Sequence, residues 1–505
     1  MACCSDWAAG EDKKPLDPKG PAAKPAETVP PASKEKPAAA EAGKKEDAQK
    51  KPPSDKQVSP DKKEPAEKKE PTEKKESPEK KEAIEKKPSA EESAKPARAP
   101  IAAELVAGQS KFADRLLAQL AQRHQGNLAF SPFSVSQALS LISEGARGET
   151  LAEVEAALQG KLASPQRHAA IAGLNLELSR SAKDGNELAI ANGLWAQPGK
   201  ELLPEFLRVG RELYGAEVQK ANFATQAEAE RAKINVWVAK ATRDKIPAIL
   251  PTGSLDSTSR LVLVNAVYLK AGWETPFNPE RTETEPFFVA PDKSVSVPMM
   301  HRGDSMLYAE SEGGQMVALP YVGKELEMVL FLPKKGTAPE TFLSERSLAE
   351  LEKRFPLWEA KAIDPASPLA KYQAELIGRR KTTSVSLTLP RFEVESRADL
   401  QPVLKQLGVQ RIFDRKQADL SGLDGKADLV LADLFHAARI EVDEKGTIAA
   451  AATAGGFKSR SGNIVSLRFD RPFAFVIRHV PSSAILFVGR VSDPGKSSTP
   501  ATAKQ

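Results

Sequence analysis

Apolar side chains along this chain fall into two regimes. Before about residue 100 they are nearly absent, and beyond it they recur with the periods of regular structure. Ala103, Val106, Phe112, Leu116 and Leu120 repeat at helical spacing and predict an amphipathic first helix. Gly126-Asn127 interrupts it ahead of a strand-like Leu128–Phe130. Ser131-Pro132 then has the chemistry of a helix start, with a hydroxyl cap followed by proline at the first helical position. That helix runs through Ile142 and stops at Gly145, and a further amphipathic run covers Leu151–Leu158.

The pattern then turns strand-like. Glu187–Ala196 and Arg260–Lys270 read as buried strands, and the second is continuously apolar from Leu261 to Tyr268 except at Asn265, as expected in the middle of a sheet. Gln315–Pro320 and Leu326–Pro333 predict a strand pair turning at Gly323. Ser384–Phe392 alternates, Leu429–Val442 follows, and Phe473–His479 and Ala484–Val491 close the series. The class predicted is α+β, with helices early and strands dominating later.

Composition separates the two regimes further. The chain has 505 residues, 28% charged and 40% hydrophobic, but residues 1–100 are almost wholly Lys, Glu, Pro, Ala and Ser. Such a segment buries too little surface to offset about 1–2 kcal/mol of backbone entropy per residue, which predicts a disordered extension or tether. Within it Lys-Lys pairs begin at Lys62, Lys68, Lys74, Lys80 and Lys86, a six-residue period that fits neither helix nor strand. Pro65, Pro71 and Pro78 favour extended chain there. Residues 101–495 have globular composition, and 496–505 read as a second disordered tail.

Charge and cysteine usage exclude several function classes. The net charge of +5 is small and the signs alternate closely, so no basic face for nucleic acid is predicted. Both cysteines, Cys3 and Cys4, stand at the N-terminus, which leaves the globular part without a disulfide, a thiolate nucleophile or a cysteine metal site. No cofactor motif occurs. The histidines are His124, His168, His301, His436 and His479, and none belongs to a recognisable nucleophile–base motif, so enzyme activity is not expected. No run of about 18 apolar residues exists to span a membrane, and the apolar core of a signal peptide is missing. Two cysteines ahead of a charged spacer do match bacterial lipoproteins, in which a lipid on such a cysteine anchors the chain. This suggests an extracellular or cell-envelope location, with the membrane reached only through that lipid.

Seven stretches, taken in order, resemble the serpin family. They are Asn127–Ser134; Ile234–Val238 with Thr242 and Lys245-Ile246; Leu263–Tyr268 through Trp273; Leu319-Pro320-Tyr321; Leu389–Phe392; Glu441–Thr447; and Arg471-Pro472-Phe473. Together they cover about residues 101–495 and mark the chain as similar to a bacterial-type serpin with an N-terminal extension. The resemblance implies three β-sheets, about nine helices, an exposed reactive-centre loop and a metastable native state. It also implies a polar shutter of Ser131, Ser134, Asn265 and His436, with Trp273 at the top of the largest sheet. Between Pro333 and Leu389 the chain is longer than the family pattern. A surface insertion is expected near Pro356–Thr382, where Arg379-Arg380-Lys381 reads as a solvated loop before a polyanion contact.

The segment Glu444–Ser461 carries the functional expectation. By propensity alone Ala449–Ala452 would be helix. The other reading is a strand that slides between two existing strands, where inward side chains must be small and uncharged. If Thr447 enters first, alternation sends Ala449, Ala451 and Thr453 to the same inner face, with Gly446 as the hinge. Ile448 departs from the acid common in the family, at an outward position. Counting along the hinge as the family does places the scissile bond at Arg460–Ser461, with Lys458 as the fallback. Arginine there implies a trypsin-like protease with a carboxylate in its primary pocket. The function implied is suicide inhibition by a monomer that forms a covalent complex with its target. A non-inhibitory binding or carrier serpin, and cross-class inhibition of cysteine proteases, are the alternatives.

Overall fold

The computed structural model describes residues 98–160, 162–181, 186–199, 201–311, 313–339, 382–447 and 464–496 of the chain, all within the unit Lys86–Gln505. Helix α1 spans Arg98–Arg123, and its Val106, Phe112, Leu116 and Leu120 are buried. Ala103 is exposed, because the helix faces solvent around its first described turn. β1 is Leu128–Phe130, followed by α2 (Pro132–Ser143), whose start is capped by the Ser131 hydroxyl accepting from the Ser134 N–H. All residues of α2 are buried. It therefore acts as core, not as a half-solvated surface helix. α3 (Gly148–Leu158), α4 (Ser164–Ser181) and α5 (Pro204–Tyr214) pack around it, α5 following β2 (Glu187–Ala196).

Beyond β3 (Glu217–Lys220) lies α6 (Phe223–Ala241), and then β4 (Leu261–Gly272). β5 (Glu283–Ala290), β6 (Lys293–Ser311), β7 (Gly314–Pro320) and β8 (Leu326–Pro333) follow. After them come β9 (Thr382–Pro390), β10 (Phe392–Asp399) and the short helices α7 (Gln401–Gln406) and α8 (Ser421–Asp424). β11 (Leu431–Val442), β12 (Gly446–Thr447), β13 (Val465–Arg468), β14 (Phe473–His479) and β15 (Ile485–Val491) complete the order. Strands β2, β8 and β14 keep the bounds that alternation and burial predict from sequence. The long β6 and the helices α4 and α6 lack so clear a period and are visible only in the fold, whereas α5 buries Phe206, Val209, Gly210 and Tyr214 at helical spacing, a pattern the sequence reading passed over.

Three sheets were the expectation, and among the described residues hydrogen bonding joins the strands into two. One is six-stranded, in the order β10-β11-β12-β4-β2-β3. The other is nine-stranded, in the order β1-β15-β14-β8-β7-β6-β9-β13 with β5 on β6. The reason is β6, whose 19 residues run through two sheet regions. Its first part pairs with β5, its middle with β9 and its end with β7, so one strand serves both.

Two cores lie on opposite faces of the six-stranded sheet. The larger packs its back face against the helices and the second sheet. The smaller lies under α6, where Ile234 and Val238 meet Val262, Val264 and Ala266 of β4 and Phe435 and Ala437 of β11. Coverage on both faces explains why β4 is apolar at successive positions instead of alternating.

Candidate functional site: the seam between β4 and β11

The centre of the six-stranded sheet is unusual in its direction. β4 and β11 run parallel from Leu261↔Leu431 to Tyr268↔Arg439, with one register shift between Leu431 and Asp433, while every other pairing of β4 and β11 to a long neighbour is antiparallel. Above that last rung the two strands part, and β12 fills the space. Thr447 pairs antiparallel with Val442 of β11 on one side and with Ala271 of β4 on the other. The first residues of the long segment that leads toward Arg460 thus occupy the top of the seam as a strand.

The chain reverses there through a tight turn. Asp443 accepts from the N–H groups of Lys445 and Gly446 with its carboxylate, and its own N–H donates to the Gly446 carbonyl. Gly446 has φ +150°, and a Cβ on it would stand 2.2 Å from the Ala271 carbonyl oxygen and 2.7 Å from Gly272 Cα. Backbone sits where a side chain would begin, so only glycine fits. Thr447 beyond it is fully buried, with its hydroxyl 2.7 Å from that of Tyr321. Burial pushes the Tyr321 phenol up, which keeps it a neutral hydrogen-bonding partner. Tyr321 stacks on Trp273 at 4.6 Å, and the Trp273 indole N–H donates to the Asp443 carbonyl at 3.0 Å. The Trp273 backbone N–H donates to the Lys445 carbonyl at 2.8 Å.

Glu444 is anchored as firmly. Its side chain is buried, and Oε1 accepts from Arg391 Nε at 2.7 Å, from Arg391 Nη2 at 2.6 Å and from the Thr282 hydroxyl at 2.5 Å. Burial pushes the carboxyl up, but the hydrogen bonds from Arg391 and Thr282 outweigh it and hold Glu444 below the ordinary carboxylate range. The Phe277 N–H takes up the Glu444 carbonyl at 2.8 Å.

Halfway down the seam a polar row crosses an apolar interior. Asn192 of β2, Asn265 of β4 and His436 of β11 stand level in the ladders. The Ser131 N–H donates to His436 Nε2 at 3.0 Å, which leaves the ring proton on Nδ1 to donate to Asn265 Oδ1 at 2.6 Å. Asn265 Nδ2 then donates to Ser134 Oγ at 2.5 Å and to Asn192 Oδ1 at 2.6 Å. Burial drives His436 down to about 3, so it is neutral, as an Nε2 acceptor must be. Of the residues named from the sequence, Ser131, Ser134, Asn265 and His436 thus meet in one network, and Trp273, Glu444, Gly446 and Thr447 meet in another above it. Ala449, Ala451, Thr453, Lys458, Arg460, Ser461, Cys3 and Cys4 lie outside the described residues, as do Arg379-Arg380-Lys381 and the insertion expected near Pro356–Thr382 except Thr382.

Sequence reasoning missed Asn192, Thr282 and the bonding roles of Tyr321 and Arg391. Asn192 had a signal, an amide in a strand with apolar residues on either side. The others act across long sequence separations, which no local pattern reports. A cluster of Ser164, His168 and Glu144 was also missed. There the Glu144 carboxylate lies 2.6 Å from His168 Nε2, and the Ser164 hydroxyl donates to that same carboxylate at 2.8 Å. Carboxylate and hydroxyl converge on one ring nitrogen, so this is not a proton relay from nucleophile to base.

The six-stranded sheet thus has a parallel seam at its centre whose top is filled by Gly446 and Thr447 as a short antiparallel strand. The chain belongs to the serpin family: the family model described as Serpin (serine protease inhibitor) matches residues 107–494. It is 35% identical over 396 residues to the leukocyte elastase inhibitor of Bos taurus, covering 77% of this chain and 100% of that one. With human antithrombin-III it shares 32% over 402 residues, covering 77% and 82%. The fold matches the crystal structure of Manduca sexta serine protease inhibitor (serpin)-12 with a TM-score of 0.66 at 25% identity, over 78% of this chain and 99% of that one. Human glycosylated kallistatin matches with a TM-score of 0.65 at 27% identity, over 79% and 100%.

Proposed function

We propose that this serpin is a suicide inhibitor of trypsin-like serine proteases, with Arg460–Ser461 as the bait bond. The observation that carries the reading is Thr447, buried between β4 and β11 at the head of a parallel seam. The protease serine attacks the Arg460 carbonyl, an ester forms, and the peptide bond breaks to release Ser461 as a new amine terminus. The freed loop then follows Thr447 into the seam and carries the acylated enzyme with it. Slowing ester hydrolysis from seconds to days requires about 7 kcal/mol, more than a small misalignment supplies, so the captured active site has to be pulled apart. The small residues Ala449, Ala451 and Thr453 support rapid entry, which decides between trapping and simple cleavage.

Incubation with trypsin is expected to give a covalent complex that survives SDS, and mass spectrometry should place the cut after Arg460. Clean cleavage with no complex sinks the reading. If the cleaved protein also melts at the temperature of the intact one, a carrier function without strand insertion takes its place. The same reading makes the inhibitor a monomer. On sequence alone it puts the protein outside the cell or in the cell envelope, tethered by residues 1–100 and lipidated at Cys3 or Cys4 in the bacterial manner, although the relatives named above are animal proteins.

A further inference from the structure

The upper seam is crossed on its outer face by the turn that follows α6. Thr242 is fully buried and closes the helix, its hydroxyl donating to the Val238 carbonyl and accepting from the Ile246 N–H. Between these fixed points Arg243 and Asp244 both take left-handed backbone, with φ +52° and +61°. Two successive non-glycine residues in that region are strained, and such strain persists only where the surroundings hold it.

What holds the turn lies on both sides of the seam. Arg243 pairs with Glu187 of β2, which also approaches Lys270 of β4 at 3.7 Å. On the other side, Arg439 of β11 donates from Nη1 to the Lys245 carbonyl at 2.9 Å, and Lys245 Nζ lies 3.8 Å from Glu441 of β11. Arg439 is also the last rung of the closed ladder, directly opposite Tyr268, the next pair that an entering strand has to separate. Tyr268 is 2% exposed, and its hydroxyl lies in the combined field of Glu187, Glu441, Arg243 and Arg439. The remaining contacts of Arg439 are to Glu393 at 2.9 Å, Glu395 at 3.8 Å and Glu441 at 3.8 Å, and its buried Nε has no hydrogen-bond partner.

We propose that Arg243–Lys245 is a strap across the β4–β11 seam, and that the Arg439–Lys245 carbonyl bond is a positioning contact that sets how fast a strand enters. The proposal rests on the insertion reading above. In it, β12 waits three rungs above a clasp, and Arg439 must let go of the strap before Tyr268 and Arg439 can move apart. Loop chemistry then makes insertion possible, and the strap sets its pace.

The test uses the full-length protein and a synthetic peptide with the sequence of residues 447–460, whose uptake into the seam is followed by the rise in melting temperature. Arg439→Met should speed uptake by about threefold or more, the scale of losing one partly exposed hydrogen bond. Asp244→Gly relieves the strain and leaves the carbonyl bond, so it should slow uptake. Arg411→Met is the control, because Arg411 pairs with Glu149 and Glu153 of α3, away from the seam. If Arg439→Met gives less than about a threefold change, or if Arg411→Met accelerates uptake as much, the strap is refuted. Faster uptake by Asp244→Gly also refutes it. A wild-type protein that takes up no peptide under any condition overturns the insertion reading itself.

Discussion

His436 offers a test of the shutter that needs no protease. Its ring is fully buried, accepts the Ser131 N–H at Nε2 and donates from Nδ1 to Asn265, so protonation would replace an acceptor with a second donor facing an N–H. Burial holds it near 3, against about 6.5 in the unfolded chain. The folded protein therefore stays unprotonated here while the unfolded chain binds a proton, and falling pH favours unfolding. The stabilisation is complete above about pH 7 and declines below pH 6.5 by roughly 1.4 kcal/mol per unit, until the folded state also titrates near pH 3. Between pH 7 and pH 5 the loss from this one residue is about 2 kcal/mol. His436→Gln keeps an oxygen to accept the Ser131 N–H and an amide to donate to Asn265, but it does not titrate. Urea unfolding of both proteins at pH 7 and pH 5 gives the answer as a double difference. His479, driven down to about 4 by burial, contributes equally to both proteins and cancels. The variant should lose about 2 kcal/mol less than the wild type over this interval. Equal losses would show that His436 is not held neutral, and the tautomer assigned to the network would fall with it.

Two further outcomes bear on the hinge. Gly446→Ala sets a Cβ against the Ala271 carbonyl, so Thr447 must leave the seam; urea denaturation should show a loss of about 2 kcal/mol or more, and an unchanged midpoint would mean that β12 is not fixed there. Arg391→Leu leaves the buried Glu444 carboxylate with the Thr282 hydroxyl and the turn, at a cost of about 1–2 kcal/mol once the partial exposure of Arg391 is allowed for. Because Glu444 is held below the ordinary range, the stabilisation is present above the usual carboxylate pKa and fades as pH falls through its lowered value. The deficit of the variant should therefore shrink in acid; a constant deficit would trace it to packing.

Periodicity made much of the scaffold legible. β4 could be read because both of its faces are covered, so nine successive residues from Leu261 to Leu269 are buried and only Asn265 breaks the apolar run. Ser131-Pro132 could be read because capping is a local matter of one hydroxyl and one missing N–H. Glu441–Thr447 was legible as a motif, and Gly446 had a physical reason that the geometry supplies. What could not be read was contact across distance. Arg391 meets Glu444 53 positions along the chain, and Arg439 reaches Lys245 across 194. Nothing in either neighbourhood marks these arginines apart from other charged residues on strands. The merging of the sheets was hidden for a similar reason, since the length of β6 follows from which partners it meets along its course.

The registers also say how far an entering strand would travel. Thr447 is opposite Ala271 on β4 and Val442 on β11, both antiparallel. A strand continued in these two registers descends one residue per rung on each side. Both ladders then bring Thr453 to the same level, that of Asn265 and His436, which themselves stand opposite each other. The agreement of the two registers means that the seam can admit a straight strand without a bulge as far as this level; lower down, the shift between Leu431 and Asp433 sets β11 one residue out of step with β4. At the Thr453 level the His436–Asn265 bond has to open, and the group arriving there is a hydroxyl that can donate to one and accept from the other. A purely apolar residue would leave a buried imidazole and amide unmatched, at about 1–3 kcal/mol. Four rungs lower the strand reaches Leu261, the end of the β4 ladder, and Arg460 lies three residues further, about 40 Å from Thr447. Each rung replaces one parallel pairing with two antiparallel ones, so the gain in backbone bonding grows with every residue that enters. Under the proposed function, the number of residues between Thr447 and Arg460 matches the length of the seam, so a chain cut after Arg460 would be long enough to fill it.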